Sequence, residues 1–125
     1  MTPLLFLGIA LAGGLGSTCR LYLDGVIRSR TSGGMPLGTI TINLTGSFLL
    51  GLITGFTANQ LLPDTSQMIL GAGFLGGYTT FSTASFETIR LMQERRWIAG
   101  GINGLGVLAA TALLAGLGLW LGSIP

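Results

Sequence analysis

The sequence predicts an all-α membrane protein of four transmembrane helices, and three observations carry that reading. Charge is scarce, with six arginines, four acids, no lysine and no histidine among 125 residues. Charged residues make up 8% of the chain, against roughly 25% in an ordinary soluble domain. A chain this small leaves too much surface wet for so few polar groups to cover. Apolar residues are 49% of the chain, glycine supplies another 22 residues, and the mean hydropathy is +0.73. Finally, the charges fall in clumps separated by uncharged runs at 1–19, 31–63, 65–86 and 97–125. Each run is close to or above the ~20 residues that a helix needs to cross hydrocarbon. None has the period-2 alternation of a barrel strand. This composition excludes a soluble enzyme and a disordered binder. The pI near 9.3 reflects two net charges and does not point to nucleic acid. A lone Cys19 excludes an intrachain disulfide and reads as a small apolar helix residue.

The elements follow in order as one domain, 1–125, without an internal repeat. Helix 1, about 3–27, begins at Pro3, whose missing N–H costs nothing in a first turn. Its start lacks the basic flank and cleavage site of a signal peptide, so it reads as a retained helix. Ser32, Gly33 and Gly34 make a flexible loop before helix 2, about 36–62, which starts at Pro36. Pro63, Asp64, Thr65 and Ser66 form a turn with capping residues ahead of helix 3, about 66–92. Helix 4 runs over about 97–122. All six arginines follow the uncharged run of helix 1 or of helix 3, so the positive-inside rule puts both termini outside and those two connections in the cytoplasm. Small residues at four-residue spacing, Gly51 and Gly55, Gly73 and Gly77, Gly100 and Gly104, Gly118 and Gly122, predict close helix packing. Four helices enclose too little space for a pore of their own, so an oligomer is expected.

Polar residues at membrane depth point to a site. Thr39, Asn43 and Ser47 share one face of helix 2. An asparagine there needs a partner or water, and helix 2 alone does not separate an interhelical hydrogen bond from the lining of an ion path. Helix 3 is decisive. Gly76, Gly77, Tyr78, Thr79, Thr80, Phe81, Ser82, Thr83, Ala84 and Ser85 place two glycines and a run of hydroxyls at depth, and these are poor helix formers. The helix is expected to break near 76–80. Non-helical backbone survives in a bilayer only within protein or beside water, and its freed carbonyl oxygens suit a hard cation. The charge-free runs hold neither an acid for proton coupling nor a base for a bulky anion. Hydroxyl and amide donors remain, with the positive ring edge of Phe81, and they fit a small, strongly hydrated anion.

With these residues in view, the chain resembles the Fluc (CrcB) family of fluoride channels. The resemblance rests on Gly13-Gly14-Leu15-Gly16 with Arg20, on Gly38-Thr39-Ile40-Thr41-Ile42-Asn43 with Gly46-Ser47-Phe48, and on Gly76-Gly77-Tyr78-Thr79-Thr80-Phe81-Ser82-Thr83 with Ser85 and Glu87. It implies an antiparallel, dual-pore dimer that passes fluoride passively out of the cell across the plasma membrane, the inner membrane of a prokaryote. It implies a structural Na+ at the dimer centre, held by the backbone carbonyls of Gly76 and Thr79 and not transported. Asn43 and Phe81 match pore residues of the family, Thr39, Ser82 and Thr83 match its polar track, and Arg20 matches a basic residue of the aqueous vestibule.

The chain departs from the family where a second phenylalanine usually follows three residues after the first, because Ala84 stands there and Phe86 points elsewhere. The serines common on helix 4 are also missing, leaving Asn103 and Thr111. The arginine bias predicts one fixed orientation, hence a non-identical partner of opposite bias, since an antiparallel homodimer needs a chain that inserts both ways. Two rivals are a small multidrug exporter, which would need a carboxylate in helix 1 that residues 1–19 lack, and a non-conducting accessory subunit.

Overall fold

The computed structural model describes residues 2–31 and 35–124, apart from the side chain of Ser82; the loop expected at Ser32, Gly33 and Gly34 lies outside these residues. All regular structure among them is helical. Helix α1 spans Pro3–Arg30, with Pro3 in its first turn and the Thr2 hydroxyl accepting from Leu5 N–H at 3.1 Å. It runs past the expected end and takes Arg28 and Arg30 into the helix along with Arg20 and Asp24, which lay within the expected bounds. Arg28 and Arg30 in the last turn complement the helix dipole. Helix α2 spans Leu37–Ala58, starting immediately after Pro36.

Helix α3 covers residues 64–78 in three pieces: an α-helical turn Asp64–Ser66, a π-helix Gln67–Leu75, and a final turn Gly76–Tyr78. Asp64, Thr65 and Ser66, expected in the preceding turn, already belong to the helix, and Pro63 stands at its N-cap without a side-chain hydrogen bond. Helix α4 spans Phe81–Gln93. Helix α5 runs over Trp97–Ser123 and is wound as a π-helix at Ile102–Gly106. Helices α1, α2 and α5 are long and apolar enough to cross a membrane.

Helices α2 and α4 end alike. Gln60 and Arg95 both adopt φ 60°. The following amides close back on the helix, Leu61 N–H to Phe56 O and Arg96 N–H to Leu91 O, each at 2.9 Å. This left-handed C-cap satisfies carbonyls that a helix end otherwise orphans.

Glycines let the backbones meet. A Cβ on Gly51 would collide with Ala115 O, and one on Gly118 with Phe48 O, so α2 and α5 touch main chain to main chain. Gly77 lies against Gly13 O and Gly16 against Phe74 O, which seats α3 on α1. Ile42, Leu75 and Tyr78 form the small buried core. Most other large apolar side chains point outward, as a lipid-facing surface requires.

Candidate functional site

Between α3 and α4 the backbone leaves the helix. Thr79 (φ −81°, ψ 159°) and Thr80 (φ −148°, ψ 118°) are extended. The Thr79 hydroxyl donates back to Leu75 O at 2.9 Å, and the Thr80 hydroxyl caps α4 by accepting from Thr83 N–H at 3.2 Å. Asn43 on α2 clasps the opened chain from both sides: its Oδ1 accepts from Thr80 N–H at 2.8 Å and its Nδ2 donates to Thr80 O at 2.9 Å. Because a backbone amide can only donate, it settles which end of the Asn43 amide is oxygen. One Nδ2 hydrogen is left without an acceptor among the described residues.

The same bonds release two carbonyls. In a continuous α-helix, Thr80 N–H would close on Gly76 O and Thr83 N–H on Thr79 O. Both amides are taken by side chains instead. The neighbouring Gly77 O accepts from Ser17 Oγ and from Arg20 Nε, each at 3.3 Å. Arg20 thus reaches from α1 to the end of α3.

Two hollows flank the extended residues. One, a cavity of about 260 Å³, lies between α2, α4 and α5 and is lined by Asn43, Thr80, Phe81, Ser85, Thr88 and Asn103. Its hydroxyls include Ser47 and Ser85, which have no hydrogen-bond partner among the described residues. Phe81 stands at its edge and is 83% exposed, so its ring projects out of the chain. The other, about 370 Å³, has Gly76 and Thr79 in its wall together with Gln67. Gln67 Nε2 donates to Thr54 Oγ1 at 2.9 Å, while its Oε1 is buried without a partner among the described residues.

The remaining expected site residues are placed elsewhere. Thr39 is buried and donates to Glu87 Oε1 at 2.6 Å, away from the cavity wall. Thr83 also lies off that wall, and the Ser82 side chain is outside the described residues. Glu87 terminates an uncharged run in the sequence, yet α4 continues to Gln93 and buries it to 2% exposure. Arg28 compensates it by donating to Glu87 Oε2 at 3.0 Å and to Asp24 Oδ2 at 2.9 Å. An acid two residues beyond the hydroxyl run was the available signal for Glu87. Asn103 and Thr88, which share a 2.7 Å hydrogen bond, join the cavity only through the fold.

The model of the family described as CrcB-like protein, Camphor Resistance (CrcB), matches residues 7–122. The chain belongs to the CrcB family. A CrcB relative in Leifsonia xyli subsp. xyli, named fluoride-specific ion channel FluC 1, is 54% identical over 124 residues, covering 99% of this chain and 90% of the relative. Fluoride-specific ion channel FluC 2 of Cutibacterium acnes is 48% identical over 118 residues, or 94% of this chain and 96% of the relative. A third relative, from Syntrophotalea carbinolica and also named a fluoride-specific ion channel, is 39% identical over 114 residues. The similarity is nearly end to end, so the extended residues and Asn43 lie well inside the matched region.

Proposed function

We propose that this chain is a subunit of a fluoride-specific channel that lets fluoride leave the cell passively and so lowers cytoplasmic fluoride. The observation that carries the reading is the Asn43 clasp on Thr80. It holds non-helical backbone open beside a cavity fringed with hydroxyls and leaves an amide hydrogen for an anion. A small anion is stripped of water only where donors replace its hydration, and charge-assisted hydrogen bonds are roughly twice as strong as neutral ones. The names of the CrcB relatives support the same ion.

In this reading, α3 and α4 together make one further crossing, broken at Thr79 and Thr80, which brings the crossings to four. Two antiparallel subunits then enclose two pores in the inner membrane of a prokaryote. Phe81 supplies a ring edge to the path. Thr39, Ser82 and Thr83 extend the polar track, Thr39 once its hydroxyl turns from Glu87. Arg20 draws anions into the vestibule. The carbonyls of Gly76 and Thr79 fit a structural Na+, because the amides that would occupy them are engaged by Asn43 and Thr80 and hard cations prefer carbonyl oxygen. When bound, the ion would tie two subunits together at the opened backbone.

The test is fluoride efflux from liposomes containing the purified chain. Efflux that requires sodium and falls at least tenfold in Asn43→Leu, with the variant still folded, is the expected result. Unchanged flux in that variant, or none from any preparation, sinks the reading. A second reading, favoured by the placement of all six arginines on one side, makes the chain one half of a heterodimer. Sodium-dependent efflux from this chain alone would disprove the need for a partner.

A further inference from the structure

Where α4 hands over to α5, an open hollow of about 720 Å³ lies apart from the opened backbone and its cavity. Its walls include Met35, Arg95, Arg96, Trp97, Ile98 and Ile102. Trp97 is 61% exposed and Ile98 is 81% exposed. Two cationic side chains thus border a recess whose other walls are apolar.

The charges there are uncommitted. Arg95 and Arg96 are both exposed. Among the described residues both ion pairs belong to Arg28, so no carboxylate neutralises Arg95 or Arg96 there. Glu94 precedes them and is exposed as well. Two arginines against one acid leave residues 94–96 with one net positive charge. No side chain caps the start of α5, an end at which the helix dipole also favours a negative group.

The tryptophans fix the level of this hollow in the membrane. Trp97 and Trp120 are both exposed and bracket α5. Residues 97 and 120 are about 35 Å apart along a helix axis, against a hydrocarbon thickness of about 30 Å. That separation puts each tryptophan at a membrane boundary, where aromatic belts form. With Trp97 at one boundary, Arg95 and Arg96 stand among the headgroups. Ile98 and Ile102, four residues apart on one face, enter the acyl region below. A cationic rim over an apolar wall is complementary to an amphiphile with a negative head.

We propose that this hollow binds a phospholipid with an anionic headgroup, its phosphate on Arg95 and Arg96 and an acyl chain along Trp97, Ile98 and Ile102. Trp97 itself reports occupancy once Trp120→Phe removes the other of the two tryptophans. That protein is placed in mixed vesicles of phosphatidylglycerol and phosphatidylcholine, with bromine on the acyl chains of one lipid or the other to quench a neighbouring indole. An anionic lipid gains roughly fivefold per net positive charge near the surface. The relative binding constant obtained from quenching should therefore favour phosphatidylglycerol roughly fivefold. Arg95→Gln combined with Arg96→Gln should bring it to one or below. Arg30→Gln, off the hollow, should keep the preference. The inference is overturned if the two brominated lipids quench equally, if the double variant keeps the preference, or if Arg30→Gln abolishes it as fully. Quenching by neither lipid would mean that protein, such as a second copy of the chain, covers Trp97, and overturns it too. Should the double variant misfold, Arg95→Gln and Arg96→Gln are read singly, and an unchanged constant in both overturns the inference. None of these readouts uses ion flux, so failure of the channel reading is a separate result.

Discussion

Glu87 illustrates how one side chain decides the character of a whole end of the molecule. Its carboxylate is almost fully buried and is held by Thr39 and Arg28, while Arg28 also binds Asp24 and is itself half exposed. Removing one partner of a buried pair leaves a desolvated charge, which is worse than removing both. Arg28→Gln should therefore destabilise the protein by about 1–3 kcal/mol, toward the low end because water screens the guanidinium. Arg28→Gln combined with Glu87→Gln should recover most of that loss. Thermal unfolding in detergent across the double-mutant cycle checks this. Additive losses would mean that the two groups do not interact.

At the scale of elements, association in lipid depends on close backbone approach, because lipid is as apolar as the helices it surrounds. The α2–α5 contact is the clearest instance. Gly118 meets Phe48 O and Gly51 meets Ala115 O, while Gly116, two residues from Gly118, has open space around its Cα. Gly118→Val should wedge α2 from α5 and abolish monodisperse protein in detergent. Gly116→Ala should be tolerated, or even stabilise the helix by up to about 1 kcal/mol through propensity. Size-exclusion chromatography and melting curves of the two variants separate packing from propensity. Equal tolerance of both would remove the tight α2–α5 contact as a source of stability.

For the whole molecule, the contact between Arg28 and Glu87 gathers the arginine-bearing connections at one end. At the opposite end, Asn59 Nδ2 donates to Ser123 O, tying the end of α2 to the end of α5. Five of the six arginines thus lie toward that end, Arg20 lies beside Gly77 O, none lies at the other end, and the positive-inside rule predicts a single orientation. With the exposed Cys19 replaced by serine, single cysteines at Glu94 and Ser123 would report it. In intact cells a membrane-impermeant maleimide should label the Ser123→Cys variant and spare Glu94→Cys. Equal labelling of both would instead establish dual insertion and support a homodimer.

The amino-acid sequence alone determined the helical, membrane-embedded character of the chain, since charge spacing and apolar run length reflect only the cost of burying charge in hydrocarbon. Residues 76–80 are poor helix formers by composition, yet Gly76 and Gly77 stay helical and only Thr79 and Thr80 are extended. Only the tertiary structure decided which polar group serves which. Periodicity put Thr39, Asn43 and Ser47 on one face of α2. Yet Thr39 turned to Glu87, 48 residues away, and Asn43 to Thr80, 37 residues away, while Ser47 faced the cavity. Glu87 was visible in the sequence as an acid in helix 3, but its compensating Arg28 lies 59 residues back along the chain. A repeat of 3.6 residues assigns a side chain to a face, but the energy of a buried polar group depends on what stands opposite, and packing alone supplies that.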